Sequence, residues 1–354
     1  MKIQEMHDIK NAVVSELQNA QNAQKSSISY IRHMLPEKSW VKEGEDFQVI
    51  VIGGTVLRSA ICKKNDKSVS IISNQKSNPP KFNTLQSFFD CIFEYLNPNI
   101  SVLALNFAYP LKPVYENEVL DGILISGTKE NNFEGLVGVQ IGKIISEEFY
   151  NRYKKYITVS VANDTICLLL SGVAQYDKKT LIGGIVGTGV NFAFFDNNEA
   201  INLEAANFNQ FTQTRVGKLL DSQSEHPGQS QFEKVISGAY LYKYYNNSTA
   251  TRYPDFVPLS STQELEELSR GNTKLAALAK STFEYSACLV ATFISGILEF
   301  KGHNCKVIME GSLFWKADDY KPLVETYISM LTSHTIEFYQ IDKDSILGAA
   351  QLVI

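Results

Sequence analysis

Short apolar runs that stop at glycine or at small polar clusters dominate the pattern of this 354-residue sequence. Runs of four to eight residues rich in Val and Ile are typical of buried strands, whereas apolar residues spaced three or four apart are typical of helices. The pattern predicts strands at 47–52, 57–63, 68–73, 100–107, 156–162, 181–186, 190–195, 305–309 and 335–341. It predicts helices within 8–35 (one or two), 81–96, 138–150, 165–170, 261–300 (two), 323–331 and 348–354. The alternation predicts an α/β fold.

The strand that begins at Tyr156 stops abruptly at Asn163-Asp164-Thr165, and a second apolar run follows at once. Ligands of open α/β sheets gather at the carboxyl ends of strands, so a carboxylate at that point is a candidate catalytic group. The alternative interpretation is that Thr165, or Asp164 itself, only caps the following helix.

Two segments share the plan of an apolar strand, a Gly/Thr turn and a second apolar strand. Their turns are Gly53-Gly54-Thr55 and Gly187-Thr188-Gly189. Turns of this kind expose backbone N–H groups in the geometry that binds phosphate, although an ordinary hairpin turn has the same composition. The repetition is more informative than either copy, because two such turns can lie on opposite sides of one polyphosphate.

Composition narrows the class of protein. The chain is 44% hydrophobic and 20% charged, and its length indicates about two domains. A net charge of -5 argues against nucleic acid as the main partner.

The five cysteines contain no CxxC pair and lie mostly in apolar runs, so we expect buried reduced thiols. The histidines lack the spacing of a zinc site. The N-terminus does not resemble a signal peptide and no apolar run approaches ~18 residues, so we expect a cytoplasmic protein without a membrane partner.

Taken in order, these segments resemble the hexokinase family of sugar kinases. Gly53-Gly54-Thr55 through Arg58 resembles its first phosphate motif, and Gly187-Thr188-Gly189-Val190-Asn191 its second. Segments similar to the family's sugar-binding segments are Asn106–Pro110, Thr128-Lys129, Asn163-Asp164-Thr165, Ile201–Glu204 and Phe232-Glu233-Lys234 with Ser237-Gly238. Gly311-Ser312 resembles the adenosine-binding turn. The match extends from about residue 35 to 350.

The resemblance implies a two-lobed actin-like ATPase (ribonuclease H-like) fold with a nucleotide and sugar cleft. We expect a small lobe at 47–163 and a large lobe at 164–341 with an N-terminal helical segment at 1–46. We expect a truncated C-terminal helix at 342–354.

The implied reaction is ATP-dependent phosphorylation of a hexose, glucose or an amino sugar, at its 6-hydroxyl, with ATP and Mg²⁺ as cofactors. The catalytic residues would be Asp164, as general base, and Lys129. The sugar-binding residues would be Thr128, Lys129, Asn163, Asp164, Asn191, Glu204 and Glu233. The ATP-binding residues would be Gly53, Gly54, Thr55, Arg58, Gly187, Thr188, Gly189, Gly311, Ser312 and Ser345. No residue is assigned as a direct metal ligand.

Several positions depart from the family pattern. Val51 stands where the first phosphate motif has an aspartate that helps to hold the hydration shell of Mg²⁺, and valine cannot accept a hydrogen bond from metal-bound water. The other departures are Val56, Ala108, Gly127 and Asp344-Ser345-Ile346-Leu347, which replaces a Gly-Ser-Gly run. Two hypotheses therefore stay open: an active kinase, or a hexokinase-like sugar-binding regulatory protein with little or no activity. The sugar, the regulators and the oligomeric state, including a homodimer, are left open.

Overall fold

A computed structural model describes residues 1–66, 68–127, 131–250, 252–253 and 255–354. The strands are β1 Ile31–His33, β2 Asp46–Ile52, β3 Leu57–Asn65, β4 Ser68–Ser77, β5 Val102–Phe107, β6 Leu111–Glu116, β7 Val119–Leu124, β8 Thr158–Ala162, β9 Leu181–Val186, β10 Val190–Asp196, β11 Glu199–Asn202, β12 Cys305–Glu310 and β13 Ile336–Tyr339. The helices are α1 Ile3–Gln21, α2 Leu85–Tyr95, α3 Ile141–Tyr153, α4 Asp164–Ser171, α5 Arg215–Ser222, α6 Gln231–Ile236, α7 Leu241–Ala250, α8 Thr262–Ser269, α9 Lys274–Lys301, α10 Ser312–Lys316, α11 Tyr320–Leu331 and α12 Asp344–Ala350. The predicted mixed α/β class is confirmed.

The N-terminal region differs from its prediction. A single helix, α1, ends at Gln21, and residues 31–33 form a strand instead of the second helix expected before Pro36. The buried carboxylate of Glu16 accepts hydrogen bonds from the Ser26 hydroxyl and from the backbone and hydroxyl of Ser27, which turn the chain back after the helix. β1 then pairs with β11 in antiparallel register, so strand pairing outweighs the helical spacing of the apolar residues.

The chain divides into two compact units. Unit 1 contains residues 1–30, 184–192 and 203–339, and unit 2 contains residues 31–183, 193–202 and 340–354. These boundaries are not those of the predicted lobes, because unit 2 includes residues 31–46 and the C-terminal residues 340–354. The division into lobes stays a prediction.

The five-stranded sheet of unit 2 has an edge at which the carboxyl ends of its parallel strands meet. Its strand order is β4-β3-β2-β5-β8, with β2 parallel to β5 and β5 parallel to β8. Val51 of β2 lies beside Asn106 of β5, and Asn106 lies beside Ala162 of β8. The carboxyl ends of three parallel strands therefore meet at one edge, as predicted for the strand that leads into Asp164.

Helix α12 packs against α4 within unit 2. A Cβ atom on Gly348 of α12 would lie 1.7 Å from the backbone oxygen of Cys167 in α4, so only glycine permits this approach of the two helices. The backbone N–H of Trp40 also donates to the carbonyl of Val353 at 2.8 Å. These contacts attach the C-terminal residues to unit 2.

Helix α9 is the core of unit 1. Seventeen of its 28 residues are buried, and α1 approaches it so closely that a Cβ on Gly296 would lie 2.5 Å from Cγ1 of Val13. Contrary to the sequence expectation, α9 is long and apolar enough to cross a membrane by length and composition alone. Because 78% of its apolar window is buried inside the protein, this is weak evidence for a membrane span.

Two further sheets complete the fold. The six-stranded sheet has the order β1-β11-β10-β9-β12-β13, and β12 is parallel to β13. Strands β6 and β7 form an antiparallel pair. All five cysteines are buried free thiols, as predicted.

Candidate functional site

Asp164 is the first residue of α4 and is separated from the end of β8 only by Asn163. Its Oδ1 accepts hydrogen bonds from the backbone N–H of Thr165 at 2.8 Å and from the Thr165 hydroxyl at 3.3 Å. Burial raises the pKa of the Asp164 carboxyl above its usual range, and the Thr165 donors oppose part of this shift. A half-buried carboxylate with a raised pKa at the end of a strand is suited to accept a proton.

The cap of α4 is Asn163, so the prediction that Thr165 or Asp164 caps this helix is wrong. The Asn163 backbone is extended (φ -76°, ψ 169°), and its Oδ1 accepts the N–H of Ile166 at 3.0 Å. An oxygen one residue before the helix reaches this donor, whereas Asp164 is already helical. Because Asn163 provides the cap, helix formation does not require the Asp164 carboxylate.

The first phosphate-type turn joins β2 to β3 in unit 2, and these strands pair along their full length. The N–H of Gly53 donates to the carbonyl of Val56 at 2.9 Å and closes the turn. Gly54 and Thr55 are exposed at its tip, and a Cβ on Gly54 would meet no described atom within 4 Å. The fold itself therefore does not require glycine at position 54, but a ligand that approached this backbone closely would.

Val51 is an apolar member of this edge, with only 7% of its surface exposed. Its neighbours in the sheet are Arg58 on β3 and Asn106 on β5. The Asn106 side chain donates from Nδ2 to the carbonyl of Ser345 at 3.3 Å, but its buried Oδ1 has no hydrogen-bond partner among the described residues. Such an acceptor costs about 1–3 kcal/mol.

Asp344, which precedes Ser345, is not among the site residues predicted from the sequence. Its half-buried carboxylate accepts the N–H of Ser345. Burial raises the pKa of Asp344, the positive charge of Arg58 opposes this shift, and the negative charge of Asp342 adds to it. The sequence shows Asp344 only as a departure from a Gly-Ser-Gly run. Nothing in the sequence places α12 near Asn106, because 239 residues separate Asn106 from Ser345.

In unit 1, three segments meet around the second phosphate-type turn. The N–H of Gly238 donates to the carbonyl of Gly187 at 2.7 Å, and the N–H of Ala239 donates to the carbonyl of Thr188 at 3.2 Å. Gly311, with φ of 120°, lies against the same turn, and a Cβ there would be 2.1 Å from the Val186 carbonyl oxygen. The predicted phosphate turn, the predicted adenosine turn and the segment after α6 therefore lie together.

Two carboxylates lie next to this turn. Oε2 of Glu233 accepts the N–H of Val190 at 3.2 Å and would lie 2.8 Å from a Cβ on Gly189, so a side chain at position 189 would displace the Glu233 carboxylate. Burial raises the pKa of Glu233; the Val190 N–H lowers it, and the negative charge of Glu204 raises it further. Glu204 itself has a positive φ of 48°, which is uncommon for a non-glycine residue and is frequent at functional sites.

Hydrogen bonds of Asn191 and Lys234 join the segments of this region. Oδ1 of Asn191 accepts the backbone N–H of Ala205 at 3.1 Å, which links the strand after the turn to the residue that follows Glu204. Lys234 is 3% exposed and its Nζ donates to Asp221 at 2.6 Å and to the carbonyl of His226 at 2.7 Å. The positive charge of Lys234 is therefore paired with a negative charge inside the protein.

The predicted site residues are divided between the two units. Unit 2 contains Gly53, Gly54, Thr55, Arg58, Asn163, Asp164 and Ser345, and unit 1 contains Gly187, Thr188, Gly189, Asn191, Glu204, Glu233, Gly311 and Ser312. Thr128 and Lys129 lie outside the described residues. That the two phosphate-type turns bind one polyphosphate stays a prediction.

Comparison with known proteins identifies the family of the chain. Two family models, both described as Hexokinase, match residues 1–174 and residues 181–250 with 257–354. The chain is similar to the hexokinase of Kluyveromyces lactis, with 24% identity over 98% of this chain and 88% of that protein. It is also similar to hexokinase-1 of Saccharomyces cerevisiae, with 27% identity over 64% of this chain and 54% of that protein.

Solved structures show the fold. A hexokinase from Schistosoma mansoni complexed with glucose aligns with a TM-score of 0.82 and 19% identity, over 100% of this chain and 95% of that one. A second hexokinase crystal structure aligns with a TM-score of 0.83 and 17% identity, over 100% and 96% of the two chains. The fold is therefore that of the two-lobed sugar kinases of the actin-like ATPase class. The matched models extend over nearly the whole sequence, and the chain belongs to the hexokinase family. Family and fold support a sugar kinase function.

Proposed function

We propose that the protein is an ATP-dependent hexose kinase in which Asp164 is the general base. The observation that carries this proposal is the position and environment of Asp164, a carboxylate with a raised pKa at the carboxyl end of β8. The carboxylate would accept the proton of the sugar 6-hydroxyl as its oxygen attacks the γ-phosphorus of ATP. A base in this role contributes about 10²–10⁴ in rate.

The sugar would be held by carboxylates and amides. Glu204 and Glu233 lie close enough for the charge of one to raise the pKa of the other, so hydroxyl donors of a sugar would relieve their repulsion. Asn191, whose Oδ1 accepts a backbone N–H, would be one of the amides that contact the sugar. Glucose and an amino sugar both present such hydroxyls, and Thr128 and Lys129 would complete the set by resemblance.

The nucleotide would be bound by backbone donors of the two Gly/Thr turns. Exposed N–H groups and hydroxyls at Thr55 and Thr188 suit phosphate oxygens. Gly311 and Ser312, which lie against the second turn, would contact the adenosine. The chain's own residues bind and orient the phosphates, and positioning of this kind is the main source of catalysis in phosphoryl transfer.

The residues at the edge of the unit 2 sheet provide some, but not all, of the oxygen atoms that would hold a hydrated magnesium ion. Magnesium usually keeps several waters and uses one or two carboxylates together with substrate phosphates. Asp164 and the orphaned Oδ1 of Asn106 are oxygen acceptors at the edge of the unit 2 sheet, whereas Val51 offers none. When bound, Mg²⁺ would neutralise charge on the transferring phosphoryl group.

A second candidate function is a sugar-binding regulatory protein with little or no kinase activity. The observation that favours it is the burial of Val51, a hydrocarbon side chain at the position where the resemblance expects a carboxylate. The carboxylates and amides assigned to the sugar are retained in the sequence.

A coupled assay with Mg-ATP and a panel of hexoses, run together with sugar-induced thermal stabilisation, separates the two functions. We expect turnover with at least one sugar, loss of about 10²–10⁴ in kcat for Asp164→Asn, and retained stabilisation by sugar in that variant. Ser171→Ala, at the opposite end of α4, is the control and should keep its turnover. Stabilisation by a hexose without turnover would reject the kinase and support the regulatory protein.

A further inference from the structure

The edge of the unit 2 sheet contains an acceptor that the fold does not satisfy. Asn106 lies between Val51 and Ala162 in the register of the parallel strands and is only 2% exposed. Its Nδ2 contacts the Ser345 carbonyl, but its Oδ1 has no partner within the described parts of the chain. Because a buried side-chain oxygen is nearly always hydrogen-bonded to protein or to an ordered water, its donor comes from a ligand or from a bound water molecule.

The residue that contacts Asn106 is preceded by a carboxylate. Asp344 lies directly before Ser345, whose carbonyl accepts from Asn106, and its side chain is half-buried. The charge of Arg58, the residue that pairs with Val51, acts on Asp344. The position of α12 is fixed by the contact of Gly348 with Cys167, so Asp344 is held near the strand ends and not on a free tail.

We propose that Asp344 and the side-chain oxygen of Asn106 accept hydrogen bonds from the waters of a nucleotide-bound magnesium ion. They would thereby supply the acceptors that Val51 lacks. The inference rests on the proposed function, since it requires a nucleotide in this site. An aspartate in the first turn of a helix is common without any ligand, but that explanation leaves the Asn106 oxygen unexplained.

Calorimetric titration with ADP, in Mg²⁺ and in EDTA, tests this role without turnover. The variants are Asp344→Asn and, as a control, Asp90→Asn, which makes the same charge change at an exposed residue of α2 in the same unit. We expect Mg²⁺ to tighten ADP binding to the unchanged protein. In Asp344→Asn this tightening should fall by about tenfold or more, as expected for loss of a charge-assisted hydrogen bond, while affinity in EDTA stays within about twofold. Asp90→Asn should behave as the unchanged protein.

Several outcomes would overturn the proposal. The role of Asp344 is rejected if Asp344→Asn keeps the full effect of Mg²⁺, or if it weakens binding equally in EDTA. Binding of ADP that is insensitive to Mg²⁺ in the unchanged protein rejects the cation role, while turnover in the coupled assay judges the kinase function independently. Absence of ADP binding rejects both. Should Asp344→Asn not fold, Asn106→Leu, which removes the orphaned oxygen at similar volume, must show the same selective loss.

Discussion

Substitution of Gly348 by alanine tests whether the contact between α12 and α4 is as close as described. The added Cβ would lie 1.7 Å from the Cys167 carbonyl oxygen and 2.6 Å from its carbon. Real Cβ atoms essentially never come within 3.0 Å of such atoms, so the helices must separate by about 1.3 Å. The obstacle is backbone, which cannot change rotamer to relieve the contact.

The expected cost follows from the magnitude of overpacking. Forced backbone shifts in a packed interior cost about 1–3 kcal/mol. For a unit of 150–250 residues, each kcal/mol lowers Tm by about 2–4 °C, so Gly348→Ala should lower the Tm of the transition of unit 2 by about 2–12 °C. Differential scanning calorimetry at constant pH measures this shift.

A matched variant distinguishes steric conflict from a general effect of alanine. Gly217 is also helical, but a Cβ there would meet Cγ1 of Val235 at 3.3 Å, a side-chain atom that can move. Alanine is favoured over glycine in helices by about 0.8–1.0 kcal/mol, so Gly217→Ala should leave Tm unchanged or raise it slightly. A Gly348→Ala protein that melts at or above the original temperature would refute the close packing of the two helices.

The other predictions concern charge and thiol burial. Because burial raises the pKa of Asp164, its ionised form destabilises the folded state; Asp164→Asn should therefore raise Tm at pH 8, and the gain should disappear as pH falls below the ordinary aspartate pKa. A melting series in which the gain grows towards acid pH would contradict that sign. Asp221→Asn leaves the buried Lys234 charge uncompensated and should cost about 3–5 kcal/mol by thermal or urea unfolding, whereas Asp318→Asn, which breaks the exposed pair with Arg270, should leave the unfolding transition nearly unchanged. Burial raises the pKa of Cys62 and Cys91 to about 12, so iodoacetamide at pH 8 should leave both thiols unmodified in the native protein and label them in urea, as mass spectrometry can show.

The sequence predicted best those elements whose signal is local. Strands β2, β9 and β12 begin and end within a residue or two of their prediction, because an apolar run with β-branched residues bounded by glycine has few alternative structures. The hairpin turns were predicted for the same reason. Residues 28–35 were assigned wrongly because their three- and four-residue spacing resembles a helix, while the partner that makes them a strand, β11, lies about 170 positions later.

The candidate site shows the same limit. Asp164 could be found because a strand and a helix start meet beside it in sequence. Asp344 could not, since its importance depends on the packing of α12 against α4 and on the Asn106 contact. The cap of α4 was also misassigned, because Asn163, Asp164 and Thr165 are all capping residue types, and only backbone geometry distinguishes them.

The packing of α1 on α9 has a consequence for how the protein is made. Lys10 donates to the carbonyl of Leu331, and Val13 touches Gly296, so the first helix of the chain packs against residues synthesised almost 300 positions later. At about 5–20 residues per second, α1 would wait roughly 15–60 s on the ribosome before its apolar face can be covered. Residues 31–183 of unit 2 likewise wait for α12. Neither unit can complete its fold before most of the chain has been synthesised. The nascent chain should therefore depend strongly on chaperones that shield amphipathic helices until synthesis is nearly complete.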